Sequence, residues 1–161
     1  MLAQDTEGHI VNTASAAGLV SSPGGGIYGV SKHGVVTLSE TLALELAARG
    51  AKLNASVLCP EWVNTRILDA ERNRPQALQN TPEEQPRSPE MAAVVQAIHR
   101  LLQAALAPSQ VAEMVFDAIR QEKFYILTHP TTKRAVQLRM EDILQERMPT
   151  NIFQLAQQAD Q

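Results

Sequence analysis

Apolar and polar residues alternate along this chain in two distinct rhythms. His9–Ala14 (HIVNTA) is a short β-rich run, and Gly8 before it suits a turn into a buried parallel strand. From Ile27 to Arg49 the rhythm becomes helical, with Val30, Val35, Leu38, Leu42 and Leu46 at three- to five-residue spacings, and Gly50 marks its stop. Leu53–Cys59 is a second strand, ended by Pro60. Helical spacing returns at Met91, Val94, Val95, Ile98, Leu101 and Leu102, and again over Gln110–Gln121. Phe124–Thr128 (FYILT) is a third strand, and Lys133–Met148 a last amphipathic helix. The order β-α-β-α-α-β-α predicts parallel strands joined by helical crossovers, hence an open α/β sheet with three strands in sequence order.

The segments between are polar or glycine-rich. Met1–Glu7 reads as the tail of a helix or a leader, and Gly18–Gly26 as a loop. The stretch 69–90 carries Pro75, Pro82, Pro86 and Pro89 and is expected to be a mobile loop. No internal repeat is present, so residues 1–161 are read as one domain.

Composition narrows the function little. Hydrophobic residues make up 44% of the 161 and charged residues 19%, ordinary for a folded domain. A net charge of −3 leaves no basic footprint for nucleic acid. No apolar run approaches the ~18 residues of a membrane span. MLAQDTEGH lacks the basic and apolar regions of a signal peptide, so a cytoplasmic location is expected. Cys59, the single cysteine, has no internal disulfide partner. The histidines (His9, His33, His99, His129) show no metal-ligand spacing. Arg139, Glu141 and Asp142 read as a solvated helix face.

Chemistry concentrates between Ser15 and Lys32 (SAAGLVSSPGGGIYGVSK), which holds a hydroxyl, then the phenol of Tyr28, then an ammonium four residues on. On a helix, residues i and i+4 share a face, so Tyr28 and Lys32 project side by side. A phenol is a poor acid or base at neutral pH, but an ammonium about 4 Å away stabilises a phenolate by roughly 1–4 kcal/mol. That brings it towards useful acid–base catalysis.

Ser15, a gap of thirteen positions, Tyr28, then three residues and Lys32 resembles the active-site signature of the short-chain dehydrogenase/reductase family. GHIVNTASAAG (Gly8–Gly18) and CPEWVNT (Cys59–Thr65) resemble that family's fifth and sixth strands with their loops. The resemblance implies an incomplete Rossmann-like, doubly wound parallel sheet, the last three strands with helices on both faces. It implies reversible hydride transfer between NAD or NADP and a carbonyl or secondary alcohol. Ser15 would orient the substrate oxygen, Tyr28 would pass the proton, and Lys32 would tune Tyr28 and bond the nicotinamide ribose. Pro60, Val63 and Thr65 would hold the nicotinamide. Glu61 stands where the family usually has Gly, so a left-handed backbone there would be strained. The helix from Tyr28 to Arg49 would belong to an interface between copies, which allows a homo-oligomer.

The sequence also departs from the family. No TGxxxGxG turn for the cofactor pyrophosphate precedes Ser15, nor does the residue that selects NAD or NADP, nor the family's catalytic Asn. A second reading follows, a truncated non-catalytic fragment whose first strand exposes an edge able to recruit another polypeptide. Gly24–Gly29 formally satisfies G-x-G-x-x-G, but a loop rather than a strand precedes it and the match consumes Tyr28, so it is rejected. A Ser-His-Asp hydrolase reading also fails, because Ser15 lies in TASAAG rather than in a G-x-S-x-G nucleophile elbow.

Overall fold

The computed structural model describes residues 1–79 and 89–151. These contain three strands, β1 (Gly8–Thr13), β2 (Leu53–Cys59) and β3 (Tyr125–Leu127). Four helices accompany them: α1 (Gly26–Ala48), α2 (Pro89–Gln103), α3 (Pro108–Arg120) and α4 (Pro130–Leu144). The strands form one parallel sheet in the order β1-β2-β3, with Gly8 opposite Leu53 and Val57 opposite Tyr125. This is the open α/β sheet, three parallel strands in sequence order, expected from the periodicity. Met1–Glu7 forms a single 3-10 turn at Leu2–Gln4. Residues 80–88 of the expected loop lie outside the described residues; on its near side, Ile67–Asn73 and Gln76–Leu78 form 3-10 turns.

The described residues fall into two compact units. One comprises Met1–Glu61 and the residues from Ala112 on; the other lies within Trp62–Val111. In the first unit the central strand β2 is buried along almost its whole length, which is why it reads as a near-continuous apolar run. Val57 and Cys59 join Ala14 and Val36 in one cluster, and Leu53 and Ala55 join Leu46 in another. Phe124 packs against both clusters, so α1 is fastened across β2. Ser56, fully buried on β2, donates to the Lys123 carbonyl (2.6 Å). Its one proton is then spent, so His9 Nε2, 2.6 Å from the same oxygen, is the donor of that pair. By contrast β1 is only half-buried and has no strand on its other edge among the described residues.

Three helices end alike. After α1 the amide of Ala51 reaches back to the Leu46 carbonyl, and Gly50 takes a left-handed φ of 58°. After α3 and α4 the same closure is made by Lys123 on Ala118 and Arg147 on Asp142, with Glu122 and Glu146 in the left-handed position. The last of these corrects one expectation. Asp142 is not solvated but 4% exposed, because its carboxylate accepts from the Thr150 amide (2.8 Å) and from Arg147 (2.9 Å). Those bonds, the Thr150 amide foremost, hold its carboxyl below the usual range.

Two groups around β2 and β3 make the fold sensitive to alkali. Burial pushes the Cys59 thiol up to about 11, opposed by a hydrogen bond from the Ser15 backbone. Burial, then the bond it donates to Glu40 on α1, pushes Tyr125 up to about 12. Both groups hold their protons more tightly when folded. The stability they contribute is complete below their unfolded values, near pH 9 and 10, and is lost as pH rises through 11 and 12. Urea unfolding midpoints measured between pH 8 and 12 should therefore fall above about pH 9. Tyr125→Phe should flatten the last part of that fall, and a variant curve parallel to wild type would refute the assignment.

Candidate active site

Parallel strands bring their C-terminal ends to one edge of the sheet, where ligands of open α/β sheets bind. β1 ends at Thr13, and Ser15 follows in extended conformation as the cap of a 3-10 turn at Ala16–Gly18, accepting from the Ala17 amide (3.2 Å). β2 ends at Cys59, and the Pro60 carbonyl turns back to accept the Ala16 amide (2.9 Å) and, more loosely, the Ser15 hydroxyl (3.5 Å). Ser15 and Pro60 therefore meet at the sheet edge.

The Ser15 turn lies directly on α1. A Cβ at buried Gly18 would sit 2.6 Å from the Lys32 carbonyl oxygen and 3.0 Å from Val36. Only a residue without a side chain lets the turn approach this closely. Tyr28 lies in the first turn of α1 and Lys32 one turn later. The Lys32 Nζ stands 5.6 Å from the centre of the Tyr28 ring and donates to the Thr13 carbonyl at 3.4 Å. Side-by-side projection thus holds, and the lysine is anchored on the strand end that carries Ser15. Tyr28 is 46% exposed, and its hydroxyl has no protein partner among the described residues.

Val63 and Thr65 belong to the second unit. There Val63 bridges Leu106, the Asn64 amide donates to the Leu106 carbonyl (2.9 Å), and Thr65 lines a cleft of about 180 Å³ with Asp69 and His99. In the first unit Val20 and Ser21, just past the Ser15 turn, line a cleft of about 250 Å³ together with Arg139 and Ile143 of α4. Among the described residues no group of three or more His, Cys, Asp or Glu could hold a metal, and no helix is long and apolar enough to cross a membrane.

Glu61 does not take the left-handed backbone that would strain it: among the described residues the non-glycine residues with positive φ are Asp5, Glu122 and Glu146. The glycine-rich stretch Gly24–Gly29 enters α1 at Gly26 with residues 14–23 between it and β1, so it has no strand immediately before it. What sequence reasoning missed was Gly18. Its only signal is a glycine in a 3-10 turn with no positive φ to demand it, and the need for it comes from a contact with a helix fourteen positions away.

The family described as short chain dehydrogenase matches residues 1–76. The CLA biosynthesis dehydrogenase/reductase of Lactiplantibacillus plantarum is 30% identical over 149 residues, covering 92% of this chain and 52% of that protein. The D-beta-hydroxybutyrate dehydrogenase of Rhizobium meliloti is 44% identical over 62 residues, covering 38% of this chain and 23% of that protein. A short chain dehydrogenase/reductase from Burkholderia phymatum, solved in complex with NAD, superimposes with a TM-score of 0.83 at 46% identity, over 93% of this chain and 53% of that one. The chain belongs to the short-chain dehydrogenase/reductase family. It spans about half the length of the Lactiplantibacillus plantarum and Burkholderia phymatum relatives.

Proposed function

We propose that this chain supplies the catalytic half of an NAD- or NADP-dependent oxidoreductase acting on a small carbonyl compound or secondary alcohol. The observation that carries the reading is the placement of Lys32, one helical turn from Tyr28 and bonded to the strand end from which Ser15 projects. The residues fit the nicotinamide end of a dinucleotide. Lys32 has three N–H donors and uses one on Thr13, which leaves two for ribose hydroxyls. The open Tyr28 phenol is free to face a reacting oxygen. The solved relative that holds NAD supports a nicotinamide as the group that supplies or takes the hydride.

The protein's own part is positioning and proton transfer. Ser15 would donate a hydrogen bond to the substrate oxygen, Tyr28 would give or take its proton, and Lys32 would hold Tyr28 and the ribose in register. Pro60 would carry the nicotinamide amide. The cleft beside Val20 and Ser21 would take the body of the substrate. Along one side of α1, Ile27, Val30, Leu38 and Leu44 stand exposed, which supports a second copy of the chain as a further partner. A cytoplasmic location belongs to the same reading.

Titration of the purified chain with NADH and NADPH, followed by nicotinamide fluorescence, tests it. Saturable binding in the micromolar range is expected, and no binding up to millimolar concentration would leave the fragment reading in its place.

A further inference from the structure

Glu61, the residue that interrupts the family's usual loop, is also the loop's most firmly bonded residue. Its amide donates to Thr128 Oγ1 (3.3 Å), and its carboxylate accepts the hydroxyls of Thr131 (2.6 Å) and Thr132. Thr131 and Thr132 are the second and third residues of α4, and Thr132 is 2% exposed. The carboxylate therefore sits against the first turn of α4, where free amides and the helix dipole favour negative charge. Hydrogen bonds to an ionised acceptor are the strong kind. A glycine at this position could make none of the side-chain bonds.

The residue before it faces the other way. The Pro60 carbonyl accepts the Ala16 amide and the Ser15 hydroxyl, so Pro60 and Glu61 together join the Ser15 turn to the start of α4. We infer that Glu61 is a positioning residue: by clamping onto α4 it fixes the Pro60 carbonyl, and through that carbonyl the direction of the Ser15 hydroxyl. The inference rests on the proposed role of Ser15 for its catalytic meaning but not for its geometry. It also accounts for a charged side chain where glycine is usual. The loop's anchorage comes from a carboxylate bond to a distant helix.

The test separates the two. Amide hydrogen exchange of Ala16, read by NMR in the full chain, needs no ligand. Glu61→Ala should speed it about tenfold. The Thr131→Val/Thr132→Val pair, which cuts the clamp from the other side, should do the same. Glu61→Gln keeps an acceptor oxygen but loses the charge, and should recover part of the protection, ending about threefold above the wild-type rate. The Val57 amide, bonded to Phe124 in the core, reports the loss of global stability against which the Ala16 change is read. In carbonyl reduction, Glu61→Ala should raise KM for the carbonyl substrate and Glu61→Gln should restore it in part. Unchanged Ala16 exchange in Glu61→Ala and in the threonine pair would overturn the clamp, as would a failure of Glu61→Gln to restore any protection. If wild type binds no nicotinamide yet the exchange contrast holds, the clamp stands and the oxidoreductase reading falls.

Discussion

Tyr28→Phe is expected to lower the turnover of carbonyl reduction about 10²–10⁴-fold, the usual worth of a positioned general acid. The size follows from what is removed and what stays. Phe keeps the ring, so the Lys32 ammonium retains an aromatic face 5.6 Å away and its anchor on the Thr13 carbonyl. The lost hydroxyl has no protein partner among the described residues, so no buried group is left unsatisfied. Stability and nicotinamide affinity should therefore stay near wild type while the chemical step collapses. Single-turnover absorbance of NAD(P)H, set beside fluorescence titration of the same variant, distinguishes these effects. Near wild-type turnover would remove Tyr28 from the proton path. An equal loss in binding and in turnover would assign it a structural role instead.

Much of this fold could be read from the chain because its elements announce themselves locally. β2 was placed residue for residue, since a buried parallel strand is a continuous apolar run with Pro60 at its end. The start of α1 was placed within one residue, where Gly24 and Gly25 lead into the helix. Its end was as clear, because Gly50 supplies the left-handed terminator. The end of α4 was expected at Met148 and lies at Leu144. The terminator there is Glu146, a residue type that gives no such signal, held in place by the Arg147 amide on Asp142. The start of α4 was set too late for a related reason: Pro130 reads as a breaker, yet it sits at the first helical position, where its missing N–H costs nothing.

The candidate site divides in the same way. Tyr28 and Lys32 are one helical turn apart, so their pairing is a local fact. The partners of Glu61 are Thr128, Thr131 and Thr132, about seventy positions away, and no period in the sequence connects them. A family pattern with glycine at that place suggested strain. The fold answers with an ordinary backbone and a bonded carboxylate. Likewise nothing in AAG (Ala16–Gly18) shows that the last residue must lack a side chain.

Gly18 carries the second large prediction. Real Cβ atoms do not approach backbone within 2.6 Å, so Gly18→Ala must push the Ser15 turn away from the Lys32 carbonyl by several tenths of an ångström. The obstacle is helix backbone, which cannot swing aside like a flexible side chain. Overpacking against such a neighbour costs about 3 kcal/mol, at the upper end of the usual range. Gly34→Ala, on the solvent side of the same helix, is the control: a Cβ there meets nothing within 4 Å. That exposed substitution should stabilise the chain by roughly 1 kcal/mol through helix propensity. Two chemically identical changes are thus expected to move the urea midpoint in opposite directions. Because the Gly18 contact also sets the distance between the Ser15 turn and the helix bearing Tyr28 and Lys32, its variant should lose turnover beyond what its lost stability explains. A displacement near 1 Å at a reacting centre costs about 10²-fold, so several tenths of an ångström should cost about tenfold. If Gly18→Ala and Gly34→Ala shift stability alike, the close approach of turn to helix is not what fixes this site.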